Sequence, residues 1–193
     1  MQEVLISGKT SFKIEVPYKL YETGGKKKKP LIVYLHGYKQ NIDGFENLVK
    51  ELLEIEAYHL FIQAPYPIYD ETRKRKVEEW GRSWYLYDGE QQQFVKSMEL
   101  SSEFIQEIID GLLPNIDVNR ICLFGYSMGG YLAGYFMLSR WKHVNEAIII
   151  GARIKTEVFE GRLEEAKHIR VLALHGNKDE NVLPMPQMKE IET

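Results

Sequence analysis

Hydrophobic and polar positions change period several times along this chain, and the changes divide it into elements. Residues 4–7 and 12–16 alternate with period two, which predicts two short antiparallel strands joined around Gly8. Residues 23–29, two glycines followed by a lysine run, read as a turn with a solvated basic tip. The unbroken apolar run at 31–35 is the pattern of a strand buried on both faces. Phe45, Leu48, Val49, Leu52 and Leu53 then recur at helical spacing, predicting a helix over 43–56 capped by Asp43. Strands follow at 59–63, 121–124, 147–150 and 169–174, with helices over 94–113 and 128–140 and helical character around 158–167. This order predicts an α/β fold: a mostly parallel, doubly wound sheet with helices on both faces, in a single domain spanning 1–193. Residues 64–93 carry prolines, charges and aromatics without periodicity. They predict an irregular excursion of the kind that builds pockets.

Composition removes some classes of function. The formal net charge is −3, so no overall bias draws the chain to nucleic acid or to an anionic membrane. The cluster Arg73-Lys74-Arg75-Lys76 reads as a solvated loop tip. Nowhere do about 18 apolar residues run together, so no stable membrane insertion is expected. The first residues show neither the basic start nor the apolar stretch of a secretion signal. The single cysteine, Cys122, lies in an apolar run and reads as a small buried hydrophobe, which suits a cytoplasmic location. Formation of a homo-oligomer stays open.

Against this background one pentapeptide carries the chemistry. Gly125-Tyr126-Ser127-Met128-Gly129 directly follows the apolar strand at 121–124 and precedes a helix. A serine hydroxyl attacks a carbonyl efficiently only when a strained turn presents it beside a base and beside donors for the oxyanion. Glycines two before and two after the serine let a strand reverse sharply into a helix, the arrangement of a nucleophile elbow. The pattern alone arises by chance in about one chain of this length in fifteen, so the surrounding residues must carry the inference. His36-Gly37-Tyr38 lies at the C-terminal end of a buried strand, where open parallel sheets place their sites. Backbone N–H groups of Tyr38 and Met128 would then form the oxyanion hole. His36, on the wrong loop for proton transfer, reads as the residue that holds this loop. Downstream of Ser127, in the chain order expected for a serine, acid and histidine, Asp179 follows the strand at 169–174. Its role would be to orient and charge-stabilise a histidine.

Together with Leu35-His36-Gly37, Ala64-Pro65-Tyr66-Pro67, Arg82-Ser83-Trp84-Tyr85, Gly130 after the elbow and His175-Gly176, these residues resemble the phospholipase/carboxylesterase family of α/β-hydrolases, which also contains acyl-protein thioesterases. The resemblance implies hydrolysis of a small acyl ester by a serine carboxylesterase, through an acyl-enzyme on Ser127, with neither metal nor organic cofactor. It also implies Asp179 as the acid, Tyr38 and Met128 as oxyanion donors, and His36, Gly37 and Trp84 on the substrate-binding side. Short to medium acyl chains are expected. The alternatives are an acyl thioesterase, or a hydrolase fold without catalysis that binds a ligand or a protein. In one respect the chain departs from the family, which carries its catalytic histidine beyond the acid, after a further helix and strand. The five histidines here are His36, His59, His143, His168 and His175, and none follows Asp179. His175 belongs to a strand expected two strands from the serine's, about 10 Å away at sheet spacing, whereas a general base needs about 3 Å. His175 is therefore a weak substitute. The reading expects a longer polypeptide, truncated here relative to the family, to carry the base and to cover the apolar edge at 169–174.

Overall fold

The computed structural model describes residues 6–8, 10 and 13–182. Its centre is a six-stranded sheet in the order β1-β3-β2-β6-β7-β8, formed by Tyr18–Glu22 (β1), Lys29–Leu35 (β2), Tyr58–Ile62 (β3), Val118–Tyr126 (β6), Glu146–Ile150 (β7) and Arg170–Leu174 (β8). All pairs are parallel except β1 with β3. A separate two-stranded ribbon pairs Tyr66–Pro67 (β4) with Arg82–Ser83 (β5) inside the expected excursion.

The parallel centre forms where the apolar runs are longest. Val33 faces Leu60 on one side and Leu123 on the other, and all three are fully buried. Such strands need β-branched and aliphatic side chains on both faces because helices cover both. Tyr34, one residue on, stacks on Phe61 at 4.2 Å and reaches the buried His59 ring through its hydroxyl at 2.9 Å.

The N-terminal strands differ from expectation. Part of the predicted pair at 4–7 and 12–16 lies outside the described residues, and no strand forms at residues 6–7 or 13–16. The first strand is β1, at the sheet edge. Its charged residues hid it: Lys19 leaves the sheet to bind Asp43 and Glu46, each at 2.6 Å, and Tyr21 donates to Glu46 at 2.8 Å. Lysine on an edge strand blocks further pairing and gives the strand a polar pattern.

The first helix also starts differently. Helix α1 spans Ile42–Leu48, followed by a 3-10 turn at Lys50–Glu54, and its cap is Asn41, whose Oδ1 accepts the Gly44 N–H at 2.8 Å. Asp43 sits in the first turn, where its charge suits the helix N-terminus while it pairs with Lys19. Helix α2, Gln91–Leu112, is amphipathic and buries Phe94, Met98, Ile105 and Ile109. Helix α3, Met128–Ser139, is buried nearly all round, packed on β6, β7 and α2. Arg140, just past its end, grips Glu99 of α2 with two guanidinium nitrogens at 2.7 and 3.3 Å. The stretch around 158–167 resolves into 3-10 turns, Thr156–Phe159 and Leu163–Ala166, rather than a helix. Among the described residues β8 is the outer strand on its side, with Leu172 half exposed. Cys122 is buried on β6, and burial pushes its thiol up to about 12.

Candidate active site

Successive strands run outward from β2 in one direction and from β6 in the other, so the crevice between their C-terminal ends is the switch point of the sheet. Two chain segments meet there: the loop after Leu35 and the turn after Tyr126.

Ser127 occupies that turn with φ 51° and ψ −117°, a left-handed conformation that costs a non-glycine residue about 1–3 kcal/mol. Its N–H is held by the carbonyl of Ile150 at 2.8 Å, while its own carbonyl accepts the Gly130 and Tyr131 N–H groups and starts α3. The glycines around it are demanded by packing. A Cβ on Gly129 would lie 2.1 Å from the Leu35 carbonyl oxygen, and one on Gly125 would lie 2.5 Å from the Gly129 oxygen. At Gly130 a Cβ would meet the Ala152 methyl at 2.7 Å. Helix α3 therefore sits directly against β2, and that approach fixes the strained turn.

The facing loop is equally constrained. The His36 ring is buried with both nitrogens engaged: Nδ1–H donates to the Gly37 carbonyl at 2.8 Å, and Nε2 accepts the Ala64 N–H at 3.1 Å. Burial lowers its pKa to about 4, the Arg82 guanidinium adds to this, and the bond to Gly37 opposes it. His36 is thus a neutral structural residue that does not face the crevice. The Gly37 N–H donates to Gln40 Oε1 at 2.7 Å, turning the loop back. Neither the Tyr38 N–H nor the Met128 N–H has an acceptor among the described residues. Both residues line one cleft with Ser127.

That cleft has a volume of about 490 Å³. Trp84, expected on the substrate side, does not line it. The indole is fully buried, its Nε1–H donates to the His36 carbonyl at 2.8 Å, and its own carbonyl accepts the Ser101 hydroxyl of α2. Its size and single donor suit a buried site with one carbonyl in reach, so Trp84 clamps the loop from behind. Beside it the Met128 sulfur accepts the Trp84 N–H and the Ser83 hydroxyl, each at 3.5 Å. The walls of the cleft are instead largely tyrosines: Tyr38, Tyr66, Tyr85, Tyr87 and Tyr131. Of these, Tyr87 and Tyr131 went unrecognised in the sequence. Tyr131 could have been found from its position one helical turn after Ser127 on the same face.

Asp179 lies beyond β8, in the loop that follows Leu174. The N–H groups of Val182, at 3.0 Å, and Asn181, at 2.9 Å, hold its carboxylate below the usual range, helped by His175. Its Oδ2 lies 3.6 Å from His175 Nε2, which also bonds the Val182 carbonyl. A Cβ built on Gly151, just past β7, would come 3.7 Å from the Asp179 carboxylate, so the aspartate reaches from β8 toward β7. No histidine is hydrogen-bonded to Ser127 among the described residues. Nor do three His, Cys, Asp or Glu side chains cluster there as metal ligands would.

The sheet order, the elbow between β6 and α3 and the loop after β2 define an α/β-hydrolase fold. Residues 18–192 match the phospholipase/carboxylesterase family, and the chain belongs to it. Among solved structures, esterase PE8 superposes with a TM-score of 0.71 at 17% identity, over 93% of this chain and 83% of that one. Acyl-protein thioesterase 2 of Zea mays gives 0.67 at 18%, over 91% and 82%. A thermostable esterase gives 0.62 at 18%, and although 93% of this chain is covered, it spans only 47% of that protein. At these identities the likeness is one of fold. No curated protein matches the sequence. No helix among the described residues is long and apolar enough to cross a membrane.

Proposed function

We propose that this chain carries the site of a serine carboxylesterase acting on short- to medium-chain acyl esters. The observation that carries the reading is the backbone of Ser127: a costly left-handed conformation, held by three glycine contacts, at the switch point of a parallel sheet. Strain of this kind persists where the surrounding packing overdetermines it, and such positions cluster at reactive residues. In the proposed reaction the Ser127 hydroxyl oxygen attacks the ester carbonyl carbon. The carbonyl oxygen takes up negative charge, and the unoccupied N–H groups of Tyr38 and Met128 stabilise it. Collapse of the tetrahedral intermediate expels the alcohol, which leaves with the proton given up by the Ser127 hydroxyl, and the acyl group stays on Ser127 for water to remove. Asp179 is the acid of the arrangement, its charge maintained by two backbone donors. Thioester hydrolysis would use the same groups.

A second reading, a hydrolase fold that binds without turnover, is favoured by the lack of a histidine bonded to Ser127 among the described residues. A fluorophosphonate probe and a p-nitrophenyl ester separate the two. Under the esterase reading, the probe modifies Ser127, Ser127→Ala abolishes modification, and ester turnover depends on Ser127. Absence of any modification at Ser127 refutes it.

A further inference from the structure

The cleft beside Ser127 has an unusual wall. Five of its lining residues are tyrosines, and they arrive from four places: Tyr38 from the loop after β2, Tyr66 from β4, Tyr85 and Tyr87 from the segment before α2, and Tyr131 from α3. Among the described lining residues none is charged, while the Lys39 ammonium lies 5.4 Å over the Tyr38 ring at the rim. Convergence of one residue type from separate segments asks what ligand such a wall fits.

The rings are held rather than loose. Tyr85 and Tyr87 both meet Phe94 of α2 edge-on, at 5.1 and 5.7 Å. Two serines of α2 fasten the segment that bears them: Ser97 accepts the Leu86 N–H at 2.8 Å, and Ser101 donates to the Trp84 carbonyl. Burial raises the Tyr85 phenol, and the Tyr131 and Tyr87 phenols raise it further. Tyr38 and Tyr87 nevertheless stay open to solvent, at 52% and 65% exposure.

We infer that this cleft selects esters bearing a planar aromatic ring next to the scissile bond. The inference rests on the esterase reading above and names its substrate class. A linear alkyl chain gains only apolar area from any wall, and aliphatic side chains provide that as well as tyrosines do. A ring gains more from tyrosines, because the positive edge of one ring meets the negative face of another at centroid distances of about 4.5–7 Å. Each such pair adds about 0.5–1.5 kcal/mol beyond area. A cationic substrate group would lose hydration in the cleft without meeting a counter-charge among the described lining residues. A sugar would lack the carboxylate, amide and guanidinium partners that bind its hydroxyls, and the Ser83 hydroxyl is already donated to the Tyr85 carbonyl at 2.7 Å.

The test uses the Ser127→Ala protein, which cannot acylate, and isothermal titration with four esters of equal carbon count. Ethyl cinnamate carries the ring on the acyl side, and ethyl nonanoate is its alkyl match. Benzyl butanoate carries the ring on the alcohol side, and heptyl butanoate is its match. The alkyl esters are the more hydrophobic, so a cleft that reads area alone binds them more tightly. The inference expects at least one ring ester to bind about threefold to tenfold more tightly than its match, and the pair that shows it identifies the side. Tyr87→Leu should erase the preference, and Tyr87→Phe should keep it. Equal or weaker binding of both ring esters, no binding by any of the four, or a preference that survives Tyr87→Leu overturns it. Modification of wild-type Ser127 by the fluorophosphonate is scored separately, so failure of the substrate class is distinct from failure of the esterase reading.

Discussion

Replacing Gly129 by alanine adds one methyl group where the start of α3 meets the backbone at the end of β2. The new carbon would lie 2.1 Å from the Leu35 oxygen, 2.5 Å from the Leu35 carbonyl carbon and 2.6 Å from the His36 oxygen. All three are backbone atoms, so no side chain can rotate away. Restoring ordinary contact requires the first turn of α3 and the end of β2 to separate by about 1 Å, given optimal carbon contacts near 3.5 Å and some sharing of the strain. Ordinary overpacking costs about 1–3 kcal/mol, and a rigid backbone neighbour places this substitution at or above the upper end, about 3 kcal/mol. At about 2–4 °C per kcal/mol for a domain of this size, the midpoint of thermal unfolding should fall by about 6–12 °C. The same movement separates the Met128 and Tyr38 N–H groups, and a misplacement of about 1 Å can cost on the order of a hundredfold in rate. Fluorophosphonate labelling should therefore slow even at temperatures where the variant is folded. The control is Gly111→Ala, an exposed position near the end of α2 where a Cβ meets nothing within 4 Å. It should raise stability by about 0.4–1 kcal/mol. The two variants, followed by circular dichroism and labelling kinetics, make a direct comparison. A Gly129→Ala protein that melts and labels like wild type would refute the packing argument for the elbow.

Other outcomes follow from the loop and the acid. His36 ionises near 4 when folded, against 6.5 in the unfolded chain, so the unfolded state binds more protons between those values. Its contribution, about 3 kcal/mol at about 1.4 kcal/mol for each tenfold change in proton affinity, is present above pH 6.5 and is lost as the pH falls toward 4. Urea midpoints measured from pH 7 to pH 4 should show this slope, and His36→Gln should flatten it; an unchanged slope would count against the buried neutral ring. Trp84→Phe removes the donor on the His36 carbonyl and should cost about 1–3 kcal/mol, while slowing labelling of Ser127 through the loosened Tyr38 loop. Loss of stability with an unaltered labelling rate would mean that the indole does not position that loop. His175→Ala should leave Ser127 labelling unchanged well below the melting temperature, since the ring is turned to Asp179 and Val182; a large drop would make His175 the base.

The residues most legible in the sequence were those with few physical solutions. An apolar run such as 31–35 has little choice but a doubly covered strand, and a serine between spaced glycines after such a run has little choice but the elbow. Edge and surface positions were harder. Asn41 and Asp43 are both good caps, and only the position of Lys19 on a neighbouring strand decides that Asp43 serves as an ion-pair partner. Strand β1 was hidden for the same reason, because its stability comes from pairing with β3 rather than from its own pattern. Trp84 was expected on the cleft, and Tyr87, which the sequence did not single out, lines it instead. A tryptophan and a tyrosine three residues apart look equally suited to a pocket until the buried His36 carbonyl claims the indole N–H.

The clamp behind the oxyanion loop has a consequence for how a substrate would be received. His36, Trp84, Gln40 and the serines of α2 tie the loop, the β4-β5 side and the cleft wall into one hydrogen-bonded unit before any ester arrives. The conformational freedom of these groups is lost when the chain folds, so capture of a ligand orders little that is not already ordered. Association should accordingly be fast and insensitive to viscosity-dependent loop closure, and differences between substrates should lie in how long each one stays.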